Sequence, residues 1–393
     1  MNFHRLKILL TIGAVIVAVA FVYSETTEAP RVPQVQLLRT PGGGIQPQTA
    51  VDSRGVLHMI YFTGDPSEGD IEYVRRALGA QGFSKPIRVN SQPGSALAVG
   101  TVRGPQMSVS PNGQVDVVWF GSSKATPKGP DGSTPLLFSR LSPAGAAFTP
   151  QRNLVQYAKG LDGGLSVAAG RKGEVYVVWH ATGTTPGEAH RRVYLARSVD
   201  GGQTFAREAP VSPAPLGACG CCGMRAFVDR SGALFVLYRA AAQDIHRNMT
   251  LLISADSGRT FRAREVSNWQ LNACPMSTAY LSAGGQHVLA AWERAGEVYF
   301  DTINPETFQF SSSFPAPGQS ENRKHPAVAA NSSGQVLMAW TEGTGWKKGG
   351  SLAWQIFDKS GQPLGATGHA AGVPVWGLPS VYTSSDGNFM IFY

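Results

Sequence analysis

Charge is scarce in this chain: only 15% of its 393 residues are Asp, Glu, Lys or Arg. The basic residues are scattered, and the densest spots are pairs such as Arg191-Arg192 and Lys347-Lys348. A chain without a basic arm or stripe gives nucleic-acid binding no support. Beyond residue 22 there is no long apolar run, which leaves the body of the chain without a sequence segment fit to cross a membrane as a helix. Cysteine is rare too, with four residues, all of them between positions 219 and 274.

Turn formers are abundant instead, with 46 Gly and 26 Pro. Together with the low charge, they predict many short strands joined by tight turns, and few helices. The hydrophobic share of 42% suffices for a sizeable core. A formal net charge of +8 and a pI near 9.4 favour anionic partners such as acidic glycans or lipid head groups. Scattered as it is, that charge reads first as a soluble, mildly basic surface.

At the start, His4, Arg5 and Lys7 precede an apolar run from Ile8 to Val22 that only Thr11 and Gly13 interrupt, and Ser24 follows. A basic segment, a short apolar segment and a small residue make a secretory signal over residues 1–24, with an uncleaved anchor as the alternative. Residues 25–30 read as a linker and residues 31–393 as one domain. The expected location is periplasmic or extracellular.

That domain repeats. A glycine-ended turn and then an aromatic recur as Gly55 and Tyr61, Gly113 and Trp119, Gly173 and Trp179, Gly232 and Tyr238, Gly285 and Trp292, Gly334 and Trp340, and Gly387 and Tyr393. All but the fifth of the seven pairs share one spacing, and the copies lie roughly 50 to 60 residues apart, the length of one four-stranded propeller blade. Between glycine and aromatic the residues alternate and are β-branched, as in Val175-Tyr176-Val177-Val178-Trp179. A third strand follows each hairpin, for example Leu136-Leu137-Phe138-Ser139, and then a looser fourth such as Pro86-Ile87-Arg88-Val89. The predicted fold is an all-β propeller of seven blades, with six as the alternative. The last copy ends after two strands at Tyr393, so the strand-like segment from Val32 to Leu38 is expected to complete it and close the ring. The repeated aromatics are expected to pack blade on blade.

Two turns carry a more specific pattern. Ser198-Val199-Asp200-Gly201-Gly202-Gln203-Thr204-Phe205 and Ser254-Ala255-Asp256-Ser257-Gly258-Arg259-Thr260-Phe261 both fit Ser-x-Asp-x-Gly-x-Thr-Phe, and Asn304-Pro305-Glu306-Thr307-Phe308 is a degenerate copy. They resemble the Asp box of the bacterial neuraminidase (BNR) repeat, which points to the sialidase-like superfamily. The resemblance implies that these turns lie on the outer rim and that Asp200 and Asp256 serve the fold. Sialidases have six blades and use an arginine triad, a tyrosine nucleophile with a glutamate, and an aspartate acid/base. Their first arginine lies in an Arg-Ile-Pro motif. The nearest match here, Arg31-Val32-Pro33, lies just past the signal and lacks the hairpin expected after it, so no catalytic residue is carried over.

Aligning the copies on their glycines places Gln46-Pro47, Gly104-Pro105, Gly163-Gly164, Cys222-Gly223, Cys274-Pro275, His325-Pro326 and Leu378-Pro379 at the lead-ins to the innermost strands, near the axis. Three consecutive blades thus offer Cys222, Cys274 and His325, with Met224 and Met276 two residues behind the cysteines and Cys219 and Cys221 just ahead of the first. Two readings stay open. An even cysteine count in an exported chain suggests disulfides, with Cys274 tying blades four and five. Converging thiolates, thioethers and an imidazole suggest a soft metal, copper or zinc, on Cys219, Cys221, Cys222, Cys274, Met276 and His325. Arg103, Arg225 and Arg323 fall near lead-ins of different blades, and Asp162 and Glu321 are the best-placed carboxylates. His58, His180, His190, His246, His287 and His369 share no register and read as surface or core residues. Asn248 and Asn331 begin glycosylation sequons, relevant in a eukaryotic host only.

Three functions compete. One is a binding scaffold with an axial Cys/Met/His site, another an exo-glycosidase of the sialidase class acting on acidic sugars, and the last an interaction hub in the cell envelope. The partner expected is accordingly a glycan or an envelope protein. Fold alone does not choose among them.

Overall fold

Turn chemistry decides where each inner hairpin reverses. In the computed structural model, which describes residues 32–183, 185–319 and 322–393, Gly55, Gly113, Gly173, Gly232, Gly334 and Gly387 have φ between 76° and 92°. That left-handed backbone is open to glycine at no steric cost. Asp52, Asp229 and Asn331 brace the same turns, each accepting N–H bonds from the residues two and four positions on. The fifth hairpin differs. Gly284 pairs directly with His287, so the turn is the two-residue Gly285-Gln286, and Trp292 falls one position later.

Six sheets of four strands and one of three follow. Blade 1 comprises Ile45–Val51, Leu57–Thr63, Asp70–Arg76 and Ile87–Arg88. Blades 2 to 6 repeat the pattern from innermost strands Gln106–Val109, Leu165–Ala169, Arg225–Val228, Tyr280–Gly284 and Arg323–Ala330. Blade 7 takes Ser380–Thr383 and Phe389–Phe392 from the C-terminus and Val35–Leu38 from the N-terminus. The closing strand runs parallel to Phe389–Phe392. Val35 and Leu37 pack toward blade 6, and Leu38 toward blade 1, so the ring closes through apolar burial as well as the ladder. Seven blades, closed by the N-terminal strand, settle the count.

The repeated aromatics are interior. Trp119, Trp179, Trp292 and Trp340 are among the largest fully buried side chains, and Tyr61, Tyr238 and Tyr393 are buried too. Trp179 stacks on Tyr194 and Trp292 on Tyr299, each joining adjacent strands of its own sheet. The two Ser-x-Asp-x-Gly-x-Thr-Phe turns share one bonding scheme. Ser198 Oγ and Thr204 Oγ1 donate to the Asp200 carboxylate, as Ser254 and Thr260 do to Asp256. These bonds, the threonine hydroxyl's first, hold both carboxyls well below the usual range.

The secretory signal, the linker and Arg31 lie outside the described residues, as does Glu321. Among the described residues, no helix is long and apolar enough to cross a membrane.

Candidate functional site

Left-handed backbone recurs at the lead-ins to the inner strands. Gln46, Thr101, Met276, His325 and Trp376 all have φ between 48° and 63°, left-handed values that non-glycine residues adopt at a cost of order 1–3 kcal/mol each. Proline has no N–H to give a ladder. At Gln46-Pro47 and His325-Pro326 the pairing accordingly slips. Five blades thus bring strained segments to the axial face, and side chains meet there that are far apart in sequence.

Four sulfurs gather at one edge of that face. Cys221 and Cys274 form a disulfide with Cα atoms 6.2 Å apart, linking the lead-ins of blades 4 and 5. Cys219 and Cys222 remain thiols, 3.3 Å apart at sulfur, and Cys219 Sγ lies 3.5 Å from Cys221 Sγ. The sulfurs of Cys219, Cys221 and Cys222 all fall within 4.8 Å of one another and are buried, and Met276 packs against them. No histidine nitrogen joins this group among the described residues. His325 stands elsewhere, on the axial cavity, with Nδ1 3.4 Å from Thr278 Oγ1.

Charged side chains, most of them buried, stand around the thiols. The Arg239 carbonyl accepts from Cys219 N at 2.9 Å, and its guanidinium pairs with Glu293 at 3.4 Å, both side chains 1% exposed. Arg247 pairs with Glu188, whose other oxygen accepts from Gly220 N. Burial by itself would raise the Cys222 thiol. The hydrogen bond from Cys219, the Arg239 charge and the Ser277 backbone outweigh burial and bring it down to about 7. Cys219, which donates that bond, is pushed well above the ordinary thiol range by it and by burial. Within the pair the proton is therefore favoured on Cys219 and the negative charge on Cys222. His180, sealed in next to the Cys222 backbone, is lowered to about 3 by burial and by Arg191, and stays neutral.

The channel itself is nearly filled. Its cavity of about 30 Å³ has room for a water or two. Arg225 reaches into it from blade 4, donating from Nη1 to Gln48 and Gln106 of blades 1 and 2, with its guanidinium 4.8 Å from the Tyr280 ring centre. Arg103 instead pairs with Asp162. Arg323 is buried between Glu297 and Glu342 over the Trp340 ring. The three arginines share no partner.

Glu188, Arg239, Arg247 and Glu293 were invisible to the alignment of lead-ins. A signal for two of them exists one residue past each blade aromatic. That position is Phe62 and Phe120 in the first two blades but His180, Arg239 and Glu293 in the next three. All three polar residues are buried, and those blades border the cysteines.

No protein-family model and no curated protein matches this chain. Among solved structures it is similar to a protein of unknown function from Dyadobacter fermentans, with TM-score 0.53 and 14% identity over 79% of this chain and 94% of that one. It is also similar to the Hadza microbial sialidase Hz136, with TM-score 0.51 and 13% identity over 79% and 68% of the respective chains. At these identities the likeness is one of propeller fold.

Proposed function

We propose that this chain is an exported binding propeller that holds a soft metal ion, copper(I), on Cys219 and Cys222 with the Met276 thioether alongside. The observation that carries this reading is the burial of three cysteine sulfurs within 4.8 Å of one another, in a pocket whose cations support a thiolate. Thiolate and thioether donors select Cu(I), whereas structural zinc takes four ligands. This cluster offers four sulfurs from cysteine only when Cys221 and Cys274 are reduced. Two thiolates on a monovalent ion leave one negative charge, beside which Arg239 stands while shared with Glu293. The nearby carboxylates are already engaged with Arg239, Arg247 and backbone N–H groups, which leaves sulfur as the available donor.

Export is supported by the N-terminal signal and by the disulfide. The two Asp200- and Asp256-centred turns support a distant kinship with Asp-box propellers. A glycan or an envelope protein remains the partner this reading expects at the axial face, where Trp346 is 54% exposed. Hydrolysis of acidic sugars is the weaker reading, because Arg103, Arg225 and Arg323 each have separate partners.

Metal analysis of the purified protein after anaerobic loading with Cu(I), paired with a thiol count after chelation and unfolding, tests the proposal. About one copper per chain and two free thiols are expected, with copper lost in Cys219→Ser or Cys222→Ser and kept in Cys274→Ser. Equal copper in wild type and both serine variants overturns it. Four free thiols with stoichiometric zinc would replace copper(I) by a tetrathiolate zinc site.

A further inference from the structure

A cation without a counter-charge occupies the axis. The lining of the axial cavity includes Arg225 and not one carboxylate, and Arg225 forms no ion pair among the described residues. Its bonds to Gln48 and Gln106 both leave from Nη1. Among the described residues Nε and Nη2 have no hydrogen-bond acceptor, and the space that Arg225 lines is this cavity. Two carbonyl dipoles and the Tyr280 ring face offset part of the cost of withdrawing a guanidinium from water. They supply no charge. Thr101, Thr278 and the His325 ring also line the space, so further polar groups surround the same point.

We propose that the axial cavity binds a small monoanion, of the size of a halide or a carboxylate head, on the free nitrogens of Arg225. Guanidinium donors and a low-dielectric wall favour such a ligand over water. The cavity of about 30 Å³ is of the scale of a few small atoms and is too small for an intact sugar ring. Seven blades converge here, so an anion that neutralises Arg225 ties the inner strands of blades 1, 2, 4 and 5 together through Gln48, Gln106, Arg225 and Tyr280. This site is separate from the cysteine cluster and stands or falls independently of the copper reading.

The test follows thermal unfolding of the purified protein at fixed ionic strength while gluconate is replaced stepwise by bromide, and in a second series by formate. A saturable rise of roughly 3 °C in Tm is expected at a hundredfold excess over Kd, absent in Arg225→Gln. Wild-type crystals soaked in bromide should show an anomalous peak within hydrogen-bond reach of Arg225, a readout that stands even if the variant does not fold. A rise with bromide alone assigns a halide. A rise with formate, which then displaces the bromide peak, assigns a carboxylate head. No saturable rise in either series and no peak at Arg225 overturns the proposal.

Discussion

Asp116 lies on the second strand of blade 2 and is fully buried, with neither carboxylate oxygen hydrogen-bonded. Its nearest cation, Arg140, stands 3.9 Å away, and the opposite residue on the neighbouring strand is Ser108. Burial raises this carboxyl from 3.8 to about 7, against the opposing pull of Arg140 and Arg152. Below pH 4 the carboxyl is protonated folded and unfolded, and contributes no difference. Between about 4 and 7 only the folded state keeps the proton, so stability falls as pH rises, and above 7 the full penalty applies. The span from 3.8 to about 7 corresponds to about 4 kcal/mol. Asp116→Asn removes the ionisable group. Relative to wild type, the variant should therefore gain about 2–4 kcal/mol between pH 4.5 and pH 8, read as a growing separation of urea midpoints. Parallel pH profiles for the two proteins would refute the reasoning, and would mean that Arg140 keeps Asp116 ionised throughout.

Three further outcomes are expected. Cys274→Ser opens a loop spanning a sequence separation of 53 and should cost about 4 kcal/mol on the chain-entropy scale, checked by denaturant unfolding without reductant. Leu37→Asp places a charge where the closing strand packs toward blade 6 and should cost about 2–4 kcal/mol, with the opened seam seen as new cleavage sites in limited proteolysis. Asp200→Ala removes the acceptor of a rim turn; Tm should fall while copper content and bromide response stay unchanged, since the turn lies between the outer strands.

Blade count and register were legible because they repeat. A left-handed turn glycine and a packed aromatic recur wherever a hairpin reverses and a blade buries its face, so Gly55 through Gly387 mark the ring without reference to any contact. The open seam was legible by the same token, since the last repeat is left incomplete at Tyr393. The convergence of Cys219, Cys221, Cys222 and Cys274 also showed in the alignment of lead-ins, which brought positions about 50 residues apart to neighbouring places.

What the alignment lacked was direction. It grouped His325 with the cysteines because their lead-ins are equivalent, but the bulge at His325-Pro326 carries that side chain to the axial cavity instead. It likewise treated Arg103, Arg225 and Arg323 alike. The sequence by itself determined the propeller, its closure and the gathering of sulfur near the axis, because periodicity and turn chemistry act locally and repeat. Only the tertiary structure decided which sulfurs are bonded, that Arg239 and Glu293 stand beside the thiols, and that Arg225 alone of the three arginines lacks a carboxylate. Pairing across blades depends on where strained backbone aims each side chain, and a linear pattern holds no record of that.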